Sequence, residues 1–196
     1  MLGELARLYS AVFAPELFVL LCGVLLIGYE WRIQMGTFSR QLLPRYAVLA
    51  GGWVLAYLIL RAIPLVLPAV RAVSTDLLGS VGLGVGLSVI WFAWRWQAWG
   101  RFVPEFSKLL LGITVVHALI TLSWAISSHV IYTVIPAGYL SVLDRRFWPL
   151  LFVPVGMVIS RPVAGAHTWT QAIAGFVLAG SVIIAYWRHY ADRYTR

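Results

Sequence analysis

Leu109–His129 reads LLLGITVVHALITLSWAISSH: from Leu109 to Ile126 there is no charged residue, and the run then ends in Ser127-Ser128-His129. An uncharged apolar run close to 20 residues long is a candidate membrane-spanning helix. The Ser-Ser-His triplet at its end is a different object, a polar knot where such a helix meets its surroundings. A second knot follows downstream, Ser160-Arg161 and then His167. Each lies at the end of a hydrophobic segment rather than inside one, so both are positioned to gather at one membrane face around an anionic group.

The rest of the chain repeats this alternation. Its 196 residues are 61% hydrophobic and 11% charged, with ten Trp, and a mean hydropathy of +0.86 lies far outside the range of a soluble domain. The reading is an all-α polytopic membrane helix bundle, with residues 1–196 as a single integral membrane domain. Its expected location is a bacterial or archaeal cell membrane. The net charge of +8 does not point to nucleic acid, because the 15 basic residues are scattered between apolar runs, where they act as topology signals and headgroup contacts. Cys22 is the single cysteine, which excludes an internal disulfide, a multi-cysteine metal site and an iron–sulfur cluster. Met1–Ala14 has no basic region ahead of an apolar core and no small-residue cleavage site, so no removable signal peptide is expected.

Seven apolar segments follow in order: Phe13–Tyr29, Tyr46–Val70, Leu77–Trp94, Leu109–Ile126, Val130–Leu143, Phe147–Ile159 and Gln171–Trp187. The first four and the last are long enough to cross a bilayer core. The fifth and sixth are short for that, and as a re-entrant hairpin they would need neighbours to cover their backbone. Basic residues in alternate connections divide unequally. Arg32, Arg40, Arg45, Arg95, Arg101, Lys108, Arg145, Arg146, Arg188, Arg193 and Arg196 fall on one side, and only Arg7, Arg61, Arg71 and Arg161 on the other. The richer side faces the cytoplasm. The amino terminus is then outside, the carboxyl terminus inside, and both polar knots share the extracytoplasmic face.

Other features read as packing. Gly82 and Gly86 form a Gly-x-x-x-Gly spacing that permits close helix approach. Trp91, Trp94, Trp96 and Trp99 read as an aromatic belt. Pro64, Pro68, Pro149 and Pro154 are expected to kink or thin their helices. Arg61 either snorkels outward or turns inward as an extra phosphate ligand. His117, at membrane depth, is a hydrogen-bonded packing residue, a haem ligand or a proton relay. A bis-histidine haem would need a second histidine at similar depth, and no other segment supplies one. His189 reads as interfacial. No cofactor or metal is implied.

The two knots hold the groups that phosphoryl transfer needs: a histidine nucleophile, a second histidine to protonate the leaving oxygen, and an arginine to neutralise the transition-state oxygens. His167, His129 and Arg161 supply these types. Ser127, Ser128 and Ser160 add hydroxyl and backbone donors at helix ends.

Ser160-Arg161, five residues and His167, followed by Ala172-Ile173-Ala174-Gly175-Phe176-Val177-Leu178-Ala179-Gly180, resembles the third signature of the type 2 phosphatidic acid phosphatase superfamily of membrane lipid phosphatases. Ser127-Ser128-His129 resembles its second signature, Pro-Ser-x-His. The resemblance covers residues 109–187. It implies a site on the outer or lumenal side of a six-helix bundle, with His167 attacking phosphorus and His129 as general acid. Three departures stand out. Ile126 replaces the proline, Gln171 replaces the carboxylate that orients and charges the nucleophile, and the first signature is missing, with Arg61 or Arg71 as its only conceivable substitutes.

Two functional classes result. One is a lipid phosphatase or phosphotransferase acting on phosphatidic acid or an isoprenyl diphosphate, possessing an incomplete motif set. The other is a non-catalytic subunit of a larger membrane complex or homo-oligomer, binding lipid or pigment through its Trp-rich surface.

Overall fold

The computed structural model describes residues 1–35, 40–66 and 75–194. Pro68, Val70, Arg71 and Arg196, which figure in the expectations above, lie outside them. Among the described residues there are eight α-helices, a 3-10 segment and no strand: α1 Leu2–Val12, α2 Pro15–Met35, α3 Leu42–Val66, α4 Thr75–Trp96, α5 Phe102–Thr121, α6 Ser128–Leu143, the 3-10 turn Arg145–Leu151, α7 Phe152–Val163 and α8 Trp169–Tyr194. The all-α expectation is met. α1 was not expected, since the first apolar run begins only at Phe13. The break before α2 has a local cause, because Pro15 occupies the first helical position, where its missing N–H costs nothing.

Four helical stretches are long and apolar enough to cross a membrane, Leu42–Val66, Leu77–Trp96, Phe102–Thr121 and Trp169–Tyr190. The pair α1 and α2, bent by 44°, makes a fifth if it is one broken span. Among the described residues, two of the seven expected segments do not form helices of spanning length. α6 has 16 residues and α7 has 12, which at about 1.5 Å per residue gives roughly 24 and 18 Å against a hydrocarbon core of about 30 Å. These are the two segments whose sequence is short.

The chain divides into two compact units, Met1–Cys22 with Trp124–Arg196, and Gly23–Ser123. In the first, α6 is the core: Ser128 and every residue from Val130 to Leu140 are buried. A helix apolar on all sides has to be covered on all sides, and α7, α8 and the 3-10 turn pack against it. Two glycines set how closely α8 approaches. A Cβ on Gly138 would stand 2.8 Å from Ile183, and one on Gly175 would stand 3.1 Å from the Ser127 carbonyl oxygen. α1 lies on α7, where the Tyr9 hydroxyl donates to the Val153 carbonyl at 3.0 Å.

In the second unit the expected Gly82–Gly86 contact is present. A Cβ on Gly82 would stand 2.6 Å from the Ala56 carbonyl oxygen, and Gly86 meets the Gly52 carbonyl oxygen. α3 thus presents Gly52 and Ala56, four residues apart, to the matching pair on α4. His117 is fully buried, with Nδ1 3.1 Å from the Ser80 hydroxyl and Nε2 3.3 Å from that of Thr121. It is a packing histidine.

The tryptophan expectation needs correction. Trp96 is exposed, but Trp94 is fully buried, donates Nε1–H to the Glu30 carboxylate at 3.1 Å and meets Trp99 edge-on at 5.0 Å. Glu30, buried in α2, also accepts from the Phe102 N–H at 2.7 Å, so it caps α5, which has no side-chain cap of its own. Arg45 does not reach outward either. It is buried, stacked 4.7 Å over Trp31 and bonded to the Gln34 amide oxygen at 3.2 Å, within electrostatic reach of Glu30. A Trp N–H and an arginine that find a buried carboxylate gain more inside than at a surface.

Candidate functional site

Two helix-terminal motifs, back to back, build the downstream knot. α7 ends in a Schellman arrangement, with Gly165 N–H donating to the Pro162 carbonyl at 2.9 Å and Ala166 N–H to the Arg161 carbonyl at 3.1 Å. Gly165 makes this possible through its φ of +73°, a conformation that costs a residue with a Cβ. The chain then turns back so that His167 N–H also points to the Arg161 carbonyl, at 3.4 Å. Arg161 in the last turn of α7 and His167 in the turn are therefore held together by main-chain geometry.

α8 begins with the second motif. Thr168 Oγ1 accepts from the Gln171 N–H at 3.3 Å, and Gln171 Oε1 accepts from the Thr168 N–H at 2.9 Å, a reciprocal capping box of the Thr-x-x-Gln type. The same Oε1 lies 3.3 Å from His167 Nδ1. An amide oxygen that already accepts from a backbone N–H can only accept, so the Nδ1 of His167 carries the proton. Whenever the ring is neutral, its lone pair is therefore on Nε2. This is the tautomer that a nucleophile needs.

Gln171 also joins the two knots, because its carbonyl receives the Ser127 N–H at 3.4 Å. Ser127, immediately before α6, is wholly buried, and neither its Oγ nor the buried Nδ1 of His129 has a hydrogen-bond partner. His129 is the second residue of α6, outside the long candidate spans. Burial, then the charge of Arg161, then that of His167, push its imidazole down from an ordinary 6.5 to about 3. The three basic side chains are thus near enough for their charges to be felt, and the imidazole of His129 is neutral at neutral pH.

The remaining expected residues are placed differently. Ser160 is buried and its hydroxyl lies 3.1 Å from that of Ser10, a tie between α7 and α1 rather than a donor to a ligand. Ser128 is buried in the first turn of α6. Arg61, exposed on α3, lies 5.6 Å over the Tyr57 ring one turn earlier. It belongs to the other unit.

Comparison with protein-family models, with curated proteins and with solved structures yields no match. Thr168, Gly165, Gly175 and Ser10 were not among the expected site residues. The Thr-x-x-Gln spacing and a glycine four residues after Arg161 were the available signals for the first two.

Proposed function

We propose that this membrane protein binds the phosphate of a lipid, phosphatidic acid or an isoprenyl diphosphate, at the extracytoplasmic face, through His129, Arg161 and His167. The reading follows the resemblance to the membrane lipid phosphatases and the basic-residue asymmetry. The observation that carries it is the set of main-chain ties that draws the three basic residues together, Ser127 N–H to the Gln171 carbonyl at 3.4 Å and His167 N–H to the Arg161 carbonyl at 3.4 Å, beside a buried serine hydroxyl with no partner among the described residues. The segments that build the cluster, 124–143 and 147–190, bring no Asp or Glu. A cationic cluster of this kind is suited to an anion.

The chemistry that follows is slow phosphoryl transfer. The His167 Nε2 lone pair attacks phosphorus, the bond to the lipid oxygen breaks, and that oxygen takes a proton from His129. Water then attacks the phosphohistidine, its proton passing back to His129, the P–N bond breaks, and free phosphate and the His167 imidazole are returned. Two features weaken the sequence: Gln171 fixes the ring without contributing charge, and His129 has no proton to give while the site is empty. The protein on this reading holds a lipid phosphate well and turns it over poorly.

The test is binding of short-chain phosphatidic acid, against the matching diacylglycerol, to purified protein in detergent. Wild type should prefer the phosphate-bearing lipid by at least tenfold, and Arg161→Gln should erase the preference while melting normally. Equal binding of the two lipids by wild type would overturn the proposal.

A further inference from the structure

In the first unit, His129 stands in the first turn of α6, whose entry is tied to α8 by the Ser127 N–H and the Gln171 carbonyl at 3.4 Å. Gln171 Oε1 lies 3.3 Å from His167 Nδ1, and His167 N–H points to the Arg161 carbonyl at 3.4 Å. The half-buried His129 imidazole, its Nδ1 buried with no hydrogen-bond partner among the described residues, feels the charges of Arg161 and His167. The charged groups on the elements packed around it are as follows. The first turn of α8, Trp169 to Ala172, is uncharged. On α1, which packs on α7, Glu4 is paired with the amino-terminal ammonium at 3.3 Å and Arg7 is exposed. Asp144 sits at the opposite end of α6, as its C-cap. A proton on His129 would join two existing bases in a poorly hydrated place. A dianion placed among the three reverses that, since opposite charge close by favours the charged form of a base.

We propose that the site takes up one proton, on His129, when it binds a phosphate-like dianion, so that capture of the anion and loading of the general acid are one event. This rests on the phosphate-site reading. It also resolves a conflict within it, because a neutral His129 cannot protonate a leaving oxygen. The substrate's own charge would supply the proton's stabilisation, and the site would be armed only when filled. By linkage, whatever the anion does to the proton's affinity, the proton does to the anion's.

The size of the effect follows from the two protonation states. If the dianion restores the imidazole from about 3 to its ordinary 6.5, binding strengthens roughly thirtyfold between pH 8 and pH 5, with about one proton taken up per anion at pH 5. Sulfate is the appropriate probe, since it stays a dianion over that range while phosphate does not. Isothermal titration calorimetry of sulfate, in buffers of different ionisation enthalpy, counts the protons directly on the unmodified protein in detergent.

Proton uptake near one at pH 5 and a strengthening affinity, both lost in His129→Asn and in His129→Gln, would support the inference. His167→Asn should bind more weakly yet keep the pH slope. Uptake that survives both His129 variants and disappears in His167→Asn would overturn the assignment to His129. Sulfate binding with no proton uptake and flat affinity would overturn the inference and leave the phosphate-site reading standing. No sulfate binding at any pH would overturn both.

Discussion

Replacing Gln171 tests the proposed nucleophilic role of His167 at the residue that holds its Nδ1. Gln171→Glu keeps the side-chain length, so its carboxylate can still accept from the Thr168 N–H, now 2.9 Å from Oε1, and from His167 Nδ1, now at 3.3 Å. Gln171→Asp places a carboxylate there with one methylene less reach. Both should fold, because a carboxylate in the first turn of α8 completes a capping box and meets the positive end of the helix dipole, a gain of about 0.3–1 kcal/mol. The catalytic gain comes from charge. A hydrogen bond from His167 Nδ1 to a charged acceptor in place of a neutral one adds about 1.4 kcal/mol, or tenfold in rate. The roughly 10⁴-fold loss when a triad carboxylate becomes an amide sets the ceiling. Phosphate release from short-chain phosphatidic acid should therefore rise about ten- to a hundredfold in one or both variants, and His167→Ala should abolish the gain. If both fold with an unchanged or raised melting temperature and neither releases phosphate faster, His167 is not a nucleophile.

Three further outcomes follow from the fold. Gly165→Ala should lower stability by about 1 kcal/mol, because φ is +73° while a Cβ there meets nothing within 4 Å, and the cost is conformational alone; thermal melts in detergent would detect it, and Gly165→Asn should be milder. Gly86→Val should separate α3 from α4 and destabilise strongly, since even a Cβ would overlap the Gly52 carbonyl oxygen, whereas Gly79→Ala, with open space around it, should melt like wild type; equal melting of the two would show that the helices do not pack at these glycines. In a Cys22→Ala background, Ala166→Cys should react with an impermeant thiol reagent in intact cells and Thr195→Cys should not; the reverse pattern would invert the topology inferred from the basic residues.

What composition and spacing carry well is the backbone's class and its closest packing. Long uncharged apolar runs form helices that lipid or protein has to cover; α3, α4 and α8 emerge where the runs are, and α5 overlaps its run but begins earlier, at Phe102, and ends at Thr121. The Gly82–Gly86 pair was legible because only a missing side chain allows a carbonyl oxygen so near. Partner choice was not legible. Arg45 and Trp94 have the composition of interfacial residues, and only the position of Glu30, distant in sequence, draws them inside. The helix α1 escaped notice because its apolar residues alternate with Glu4 and Arg7, which masks a short helix in any reading tuned to long uncharged runs.

The candidate site divides along the same line. That Arg161 and His167 stand together follows from sequence-local devices, a glycine past the end of one helix and a Thr-x-x-Gln box at the start of the next, and either could have been read from the letters. That His129 joins them depends on α8 lying close enough to α6 for the Gln171 carbonyl to receive the Ser127 N–H, and Gly175 permits this. Gln171 consequently has three roles in one residue: it caps α8, fixes the tautomer of His167 and anchors the entry to α6. Two of these need only an oxygen that accepts, and the third needs only a carbonyl of the main chain. None needs charge. An amide and a carboxylate are therefore equivalent at this position as far as the architecture is concerned, and the charge that a carboxylate would add bears on the His167 ring alone. This is why Gln171→Glu can change the chemistry of the ring while leaving the packing of α6, α7 and α8 as it is.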